Sequence, residues 1–165
     1  MKYEVKPAQP ADYPAIHQIN EASVPAVSSI SIDELQTLAG QGCYFGSVWV
    51  ERNCAGFLMA MRPGADYASP HYQWFSREYP DFVYVDRIAV AAQYKGLGLG
   101  RALYQDLVRA ITGTSPLIVC EVNLRPPNPD SFAFHTKLGF VEVGQLESEA
   151  GMKRVSLMTK KLTAA

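Results

Sequence analysis

Between Tyr84 and Arg101 the sequence reads Tyr-Val-Asp-Arg-Ile-Ala-Val-Ala-Ala-Gln-Tyr-Lys-Gly-Leu-Gly-Leu-Gly-Arg, and no other stretch constrains the fold as tightly. Its first half is strand-like. Val83, Val85, Ile88 and Val90 are β-branched, and Tyr84 suits a pleated, half-buried surface. Its second half is a glycine-rich turn that runs straight into a helix. There Leu99, Leu103, Leu107 and Ile111 recur at i, i+4, with Arg101, Gln105, Asp106 and Arg109 opposite. A strand, a glycine loop and an amphipathic helix in that order leave several backbone N–H groups unpaired, with the positive end of a helix dipole behind them. Such a site suits an anion, best a phosphate. Gly96, Gly98 and Gly100 are expected where a Cβ would hinder close approach, at a cost of roughly 0.5–1 kcal/mol each relative to alanine. Lys95 and Arg101 add positive charge at the rim.

The spacing sorts the phosphate ligands. A P-loop needs Gly-Lys-Ser/Thr, whereas Gly100 is followed by Arg101 and Ala102. A dinucleotide fingerprint needs G-x-G-x-x-G, and this loop has G-x-G-x-G. Glu121 lies near the position of the acidic residue that such a site expects about 20 residues on, so an NAD-dependent oxidoreductase stays open as an alternative. The mid-chain position of the loop and the lack of a second βαβ half count against it. Gln93-x-x-Gly96-x-Gly98 after an apolar strand resembles the acyl-CoA pyrophosphate motif, Q/R-x-x-G-x-G/A, of the GNAT superfamily of N-acetyltransferases.

The rest of the chain agrees with one domain over residues 1–165. Lys2–Pro7 is the first strand. Asp12 is expected to cap a helix to about Ser23, with Pro14 in its first turn. Ser31-Ile32-Asp33-Glu34 reads as a capping box for a second helix, ended by Gly40 and Gly42. Cys43–Glu51 and Ala55–Met61 read as a hairpin. Pro63–Asp81 is long for a connection and rich in rings, which suits either a binding loop or a cover over the core edge. After the central strand and its helix come a buried strand at Pro116–Val122 and a short helix begun by Asn128-Pro129-Asp130. That helix ends at Gly139. Phe140–Leu146 and Arg154–Lys161 are the final strands. The expected fold is α/β of the α+β type: a mixed, mostly antiparallel sheet of about seven strands, helices on both faces, and one parallel β-α-β crossover.

A second motif strengthens the resemblance. GNAT proteins commonly carry N-x-x-A-x-x-L-Y-x-x-x-G-F after the fifth strand, and the same register here gives Asn128, Ser131, Phe134, His135, Gly139 and Phe140. His135 in place of Tyr is the departure that matters most for chemistry. The resemblance, which covers essentially the whole chain, implies acetyl-CoA as co-substrate and no metal. The backbone of Ile88, Ala89 and Val90 would pair with the pantetheine amides. Gln93 and Tyr94 would also bind the cofactor, and N–H groups of Lys95, Gly96, Leu97, Gly98, Leu99, Gly100 and Arg101 would hold the pyrophosphate. Asn128 would contact the pantetheine arm and His135 would sit near the thioester sulfur.

Acetyl transfer needs a neutral amine, a stabilised oxyanion and a proton for the leaving thiolate. At pH 7 a lysine-like amine is neutral in only roughly one molecule in a few thousand, so a base is needed. Asp86, in an otherwise apolar strand, is the expected base, with Arg87 pointing to the opposite face. His135 is the expected acid, since an unperturbed imidazole is roughly a quarter protonated at pH 7; the alternative is that it only packs and hydrogen-bonds. The Val90 N–H is the oxyanion donor that the resemblance implies. Tyr84, Trp74 and His71 are candidates for binding substrate, and His17 for packing. The function expected is acetylation of a primary amine on a small molecule, amino acid or peptide, by direct attack in a ternary complex. A non-catalytic acyl-CoA sensor of the same fold is the first alternative.

Composition supplies exclusions. A net charge of −1 gives no basic field for nucleic acid or an anionic membrane. No apolar run approaches the roughly 20 residues that span a bilayer. Cys43, Cys54 and Cys120 match no zinc spacing and are expected as buried free thiols, which makes the cytoplasm the default compartment. A homodimer is compatible with all of this.

Overall fold

Among the described residues, alternation and turn chemistry produce seven strands, and one helix more than the sequence suggested. The computed structural model describes residues 1–163. In order they form β1 (Tyr3–Pro7), α1 (Tyr13–Ala22), α2 (Ile32–Gln41), β2 (Tyr44–Val50), β3 (Asn53–Met61), α3 (Pro70–Glu78) and β4 (Val83–Val90). Then come α4 (Leu99–Ile111), β5 (Leu117–Arg125), α5 (Pro129–Lys137), β6 (Val141–Ser148) and β7 (Lys153–Lys161). The strands make a sheet in the order β1-β2-β3-β4-β5-β7-β6. β4 and β5 run parallel, while β1–β2, β2–β3, β5–β7 and β6–β7 are antiparallel. This is the mixed, mostly antiparallel architecture that was expected.

The chain divides into two compact units, and β4 contributes to both. The first holds Met1–Met61 and Val85–Ile111, the second Arg62–Tyr84 and the chain from Thr112 onward. In the first unit the Leu stripe of α4 is the organising face. Leu99, Leu103, Leu107 and Ile111 are each buried, as are Ile16, Leu35, Phe57 and Met59. Full burial of such side chains stabilises by about 1.5–3 kcal/mol each, which dwarfs their helix propensities. The α2 cap forms as expected: Ser31 Oγ accepts from the Glu34 N–H at 3.0 Å. Asp12 does not cap α1. Its carboxylate accepts from the Gln9 N–H at 2.9 Å and closes a 3-10 turn over Pro10–Asp12. Gly56 lets β3 approach β4, since a Cβ there would lie 2.7 Å from the Ala89 carbonyl.

In the second unit the aromatic segment contains α3. Ser69 caps it, with its Oγ accepting from the Tyr72 N–H at 3.4 Å, and Pro70 fills the first position. Tyr72 and Phe75 are buried, and their rings meet Tyr84 at 5.4 and 6.0 Å between centroids. So these two rings build core rather than a surface lid. At α5 the expected start holds: Asn128 Oδ1 accepts from the Ser131 N–H at 3.2 Å. Of the three cysteines only Cys120 is buried; Cys54 is half-buried and Cys43 exposed. Cys43 stands one residue before β2 begins, where its N–H donates to the Ala60 carbonyl at 2.9 Å.

Candidate active site

The glycine loop is built by the end of β4. The Ala91 N–H donates to the Ala55 carbonyl at 2.8 Å and ties the strand end to β3. A 3-10 turn over Ala92–Tyr94 follows, and in it the Lys95 N–H donates to the Ala92 carbonyl at 3.3 Å. Gly96 and Gly98 then take left-handed conformations, with φ of 78° and 81°. The Ala102 N–H donates to the Gly98 carbonyl at 3.0 Å and closes the first turn of α4. The N–H groups of Leu99, Gly100 and Arg101 therefore come before any acceptor inside the helix.

Two expectations change here. Around Gly96 and Gly98 nothing lies within 4 Å of where a Cβ would stand, so backbone twist rather than crowding demands glycine. Gly100 is inside α4. The Lys95 N–H is committed to the turn, so the open donors begin at Gly96. The cradle suits a phosphate. It has left-handed turns that aim N–H groups together, a helix dipole behind them and cations at Lys95 and Arg101. No carboxylate occurs between Gln93 and Asp106. Leu97 is 48% exposed at the tip of the loop. Ile88 and Val90 are half-buried and Ala89 is buried. A cavity of about 720 Å³ borders the turn on its Gln93–Lys95 side and reaches Gln18, Trp49, Arg52 and Cys54. Burial pushes the Cys54 thiol up, which disfavours a nucleophilic thiolate.

Asp86 also belongs to the first unit. Its side chain is 3% exposed, and its carboxylate accepts from Arg87 Nε at 2.7 Å. Arg87 was expected to face away, yet its guanidinium turns back along the strand. Its other nitrogens donate to Asn20 Oδ1 at 2.9 Å and to the Ser28 carbonyl and Oγ, each at 3.1 Å. The result is a closed ion pair, both side chains 3% exposed, whose outer partner Ser28 lies at the surface.

In the second unit His135 is 3% exposed, with its Nδ1–H donating to the Ser131 carbonyl at 2.8 Å. Its ring stands edge-to-face with Phe134 and Phe140. Burial lowers its pKa, and the bond to Ser131 opposes that only in part. Its protonated fraction at pH 7 is thus smaller than the free imidazole suggested. Asn128, besides capping α5, donates its own N–H to the Asn123 carbonyl at 3.1 Å.

The same unit brings together two residues that were expected to face substrate. Tyr84 and His71 are buried and meet on Glu121 of β5. The Tyr84 hydroxyl lies 2.8 Å from both carboxylate oxygens, and His71 Nδ1 lies 3.2 Å from Oε1. Glu121 was read only as a ribose acid for the dinucleotide alternative. The signal that could have found it is a single carboxylate in the apolar run Leu117–Val122. Trp74, the third expected contact, packs edge-on to Phe75 at 5.2 Å and lies over Gly144, where a Cβ would meet its ring at 3.2 Å. Among the described residues no group of three or more His, Cys, Asp and Glu could hold a metal ion, and no helix is long and apolar enough to cross a membrane.

The model of the acetyltransferase (GNAT) family matches residues 10–140. A search of curated protein sequences gives no significant match. Similar solved structures include Ard1 from Thermoplasma volcanium, with a TM-score of 0.79 at 16% identity, covering 99% of each chain. The ribosomal-protein-S18-alanine N-acetyltransferase from Escherichia coli has a TM-score of 0.75 at 18% identity, covering 99% of this chain and 96% of that one. The protein yncA of Salmonella typhimurium, solved with its cofactor acetyl-CoA, has a TM-score of 0.73 at 18% identity, covering 100% of this chain and 96% of that one.

Proposed function

The chain belongs to the acetyltransferase (GNAT) family, and on that premise we propose that it transfers the acetyl group of acetyl-CoA to a primary amine of a small molecule, amino acid or peptide. Attack is direct, within a ternary complex. The observation that carries the reading is the cradle at Gly96–Arg101, where two left-handed glycines and the first turn of α4 offer donors to a pyrophosphate.

For the proton acceptor the geometry favours Glu121 over Asp86. Protonating Asp86 would strip the buried Arg87 of its counter-charge, which is costly. Glu121 is held by the Tyr84 hydroxyl and by His71, and its side chain is 16% exposed, so it can receive a proton from outside. In this scheme an ammonium N–H passes its proton to Glu121. The free amine forms the C–N bond to the thioester carbon, and the C–S bond breaks. The departing thiolate takes the second amine proton. His135, with its proton on Nδ1 committed to Ser131, packs and orients rather than supplies that proton.

A thermal shift against acetyl-CoA, free CoA, NAD and ATP tests the cofactor. Ligand at about 100 times its dissociation constant stabilises by roughly 2.7 kcal/mol, or several degrees. A shift with the two CoA species alone supports the proposal, and thiol release with an amine panel then separates an enzyme from a sensor. A shift with NAD, or none with CoA, sinks it.

A further inference from the structure

We infer that His71 is a positioning residue, which from α3 holds the Glu121 carboxylate in the orientation that receives the acceptor's proton. This rests on the acetyl-transfer reading above.

Three facts carry it. First, His71 is 5% exposed, and its Nε2 is buried with no hydrogen-bond partner, while Nδ1 faces Glu121. A carboxylate oxygen only accepts, so the proton sits on Nδ1. A proton on Nε2 would be a buried donor with nothing to accept it, which costs more than a bare lone pair. The ring is therefore held in one tautomer, with its single donor spent on Glu121.

Second, of the three side chains the carboxylate is the most exposed. Tyr84 is fully buried and the His71 side chain is 7% exposed, against 16% for Glu121. An incoming ammonium group would meet Glu121, with His71 behind it.

Third, one helix fixes both donors. Tyr72, next to His71 on α3, donates its hydroxyl to the Arg62 carbonyl at 2.6 Å and accepts from the Ala65 N–H at 2.9 Å. Its ring and that of Phe75 pack on Tyr84. Arg62 in turn donates to Thr114 Oγ1 at 2.7 Å. So α3 sets the place of His71 directly and of the Tyr84 hydroxyl through ring packing. A carboxylate held by two fixed donors keeps one rotamer, and orientation of a base is part of what makes it effective.

The test combines kinetics with NMR. His71→Ala is expected to lower kcat about tenfold to a hundredfold, a share of the 10²–10⁴ that a positioned base supplies, with the KM for acetyl-CoA unchanged. His71→Asn, whose amide N–H stands near the place of Nδ1, is expected to recover most of that loss. In a Glu121→Gln background His71→Ala is expected to cost nothing further, because its effect passes through the carboxylate. A wild-type kcat in His71→Ala overturns the inference, and so does a full loss that persists in the Glu121→Gln background. Long-range proton–nitrogen correlation spectra of histidine-labelled protein give an arm that needs no turnover: a proton on Nδ1 is expected, and one on Nε2 overturns the inference. If the wild type turns over no amine, the acetyl-transfer reading fails while the NMR arm still decides the His71–Glu121 geometry. Thermal midpoints of each variant separate misfolding from loss of positioning.

Discussion

Two carboxylates on neighbouring strands are both mostly buried, and their surroundings differ in kind. Asp86 is matched by a full positive charge, and that charge is itself satisfied by Asn20 and Ser28. Glu121 is met by a phenol and an imidazole whose far nitrogen has no partner. The first cluster is closed around its ion pair: both side chains are 3% exposed, and removing either one leaves a buried charge. The second is open on one side, where the carboxylate reaches solvent. Closed networks stabilise and specify a fold, whereas open ones can exchange a proton. β4 carries a member of each, Tyr84 in one unit and Asp86 with Arg87 in the other.

The comparison breaks most visibly if the closed cluster proves dispensable. Arg87→Met is expected to destabilise the fold by about 3–5 kcal/mol, since it strands Asp86 in the interior. A urea midpoint close to that of the wild type would show that the network carries no such weight. The next effect belongs to the open cluster. Glu121→Gln keeps the size of the side chain, and it is expected to lower kcat by roughly 10²–10⁴ with little change in the urea midpoint. Asp86→Asn should do the reverse and cost stability more than rate. If Asp86→Asn slows turnover in a well-folded protein while Glu121→Gln does not, the two roles are exchanged.

What could be read from the sequence divides along the same line. Ser31 with Glu34, Asn128 with Pro129, the Leu stripe of α4 and the turn of Gly96 and Gly98 are local signals, and each appears where expected. The clusters are not local. His71 and Glu121 are 50 residues apart, and Arg87 reaches Asn20 across 67. Period-two alternation assigns Asp86 and Arg87 to opposite faces, but a long guanidinium stem can fold back to a neighbour. Helix α3 was hidden because its buried face is aromatic and begins at Ser69-Pro70, a pair that also signals a turn. The cradle could be read in outline, yet its reason could not: open space around both glycines shows that torsion rather than crowding selects them.

That distinction gives a test in the first unit, away from both carboxylates. Gly98→Ala meets no clash, so its cost is the left-handed backbone alone, about 1–2 kcal/mol. A loop that relaxes to escape this strain turns its N–H groups away, and affinity for CoA is expected to fall roughly tenfold. Unchanged binding by calorimetry would mean that the phosphate is held elsewhere.

The smallest effect concerns His135, whose environment resembles the closed cluster without a charge. Its folded pKa lies below that of the unfolded chain because burial disfavours the imidazolium. The sign follows from proton counting. As pH falls below the unfolded value near 6.5, the unfolded chain binds protons that the folded one refuses, so the stability that His135 contributes above that pH is progressively lost. Between pH 7.5 and 5 the wild type is therefore expected to lose more stability than His135→Phe, which keeps the edge-to-face packing and cannot titrate. Matched thermal melts at the two pH values measure the difference directly. Equal losses would mean that the ring takes up its proton without resistance, and His135 would then rejoin Glu121 among the groups open to proton exchange.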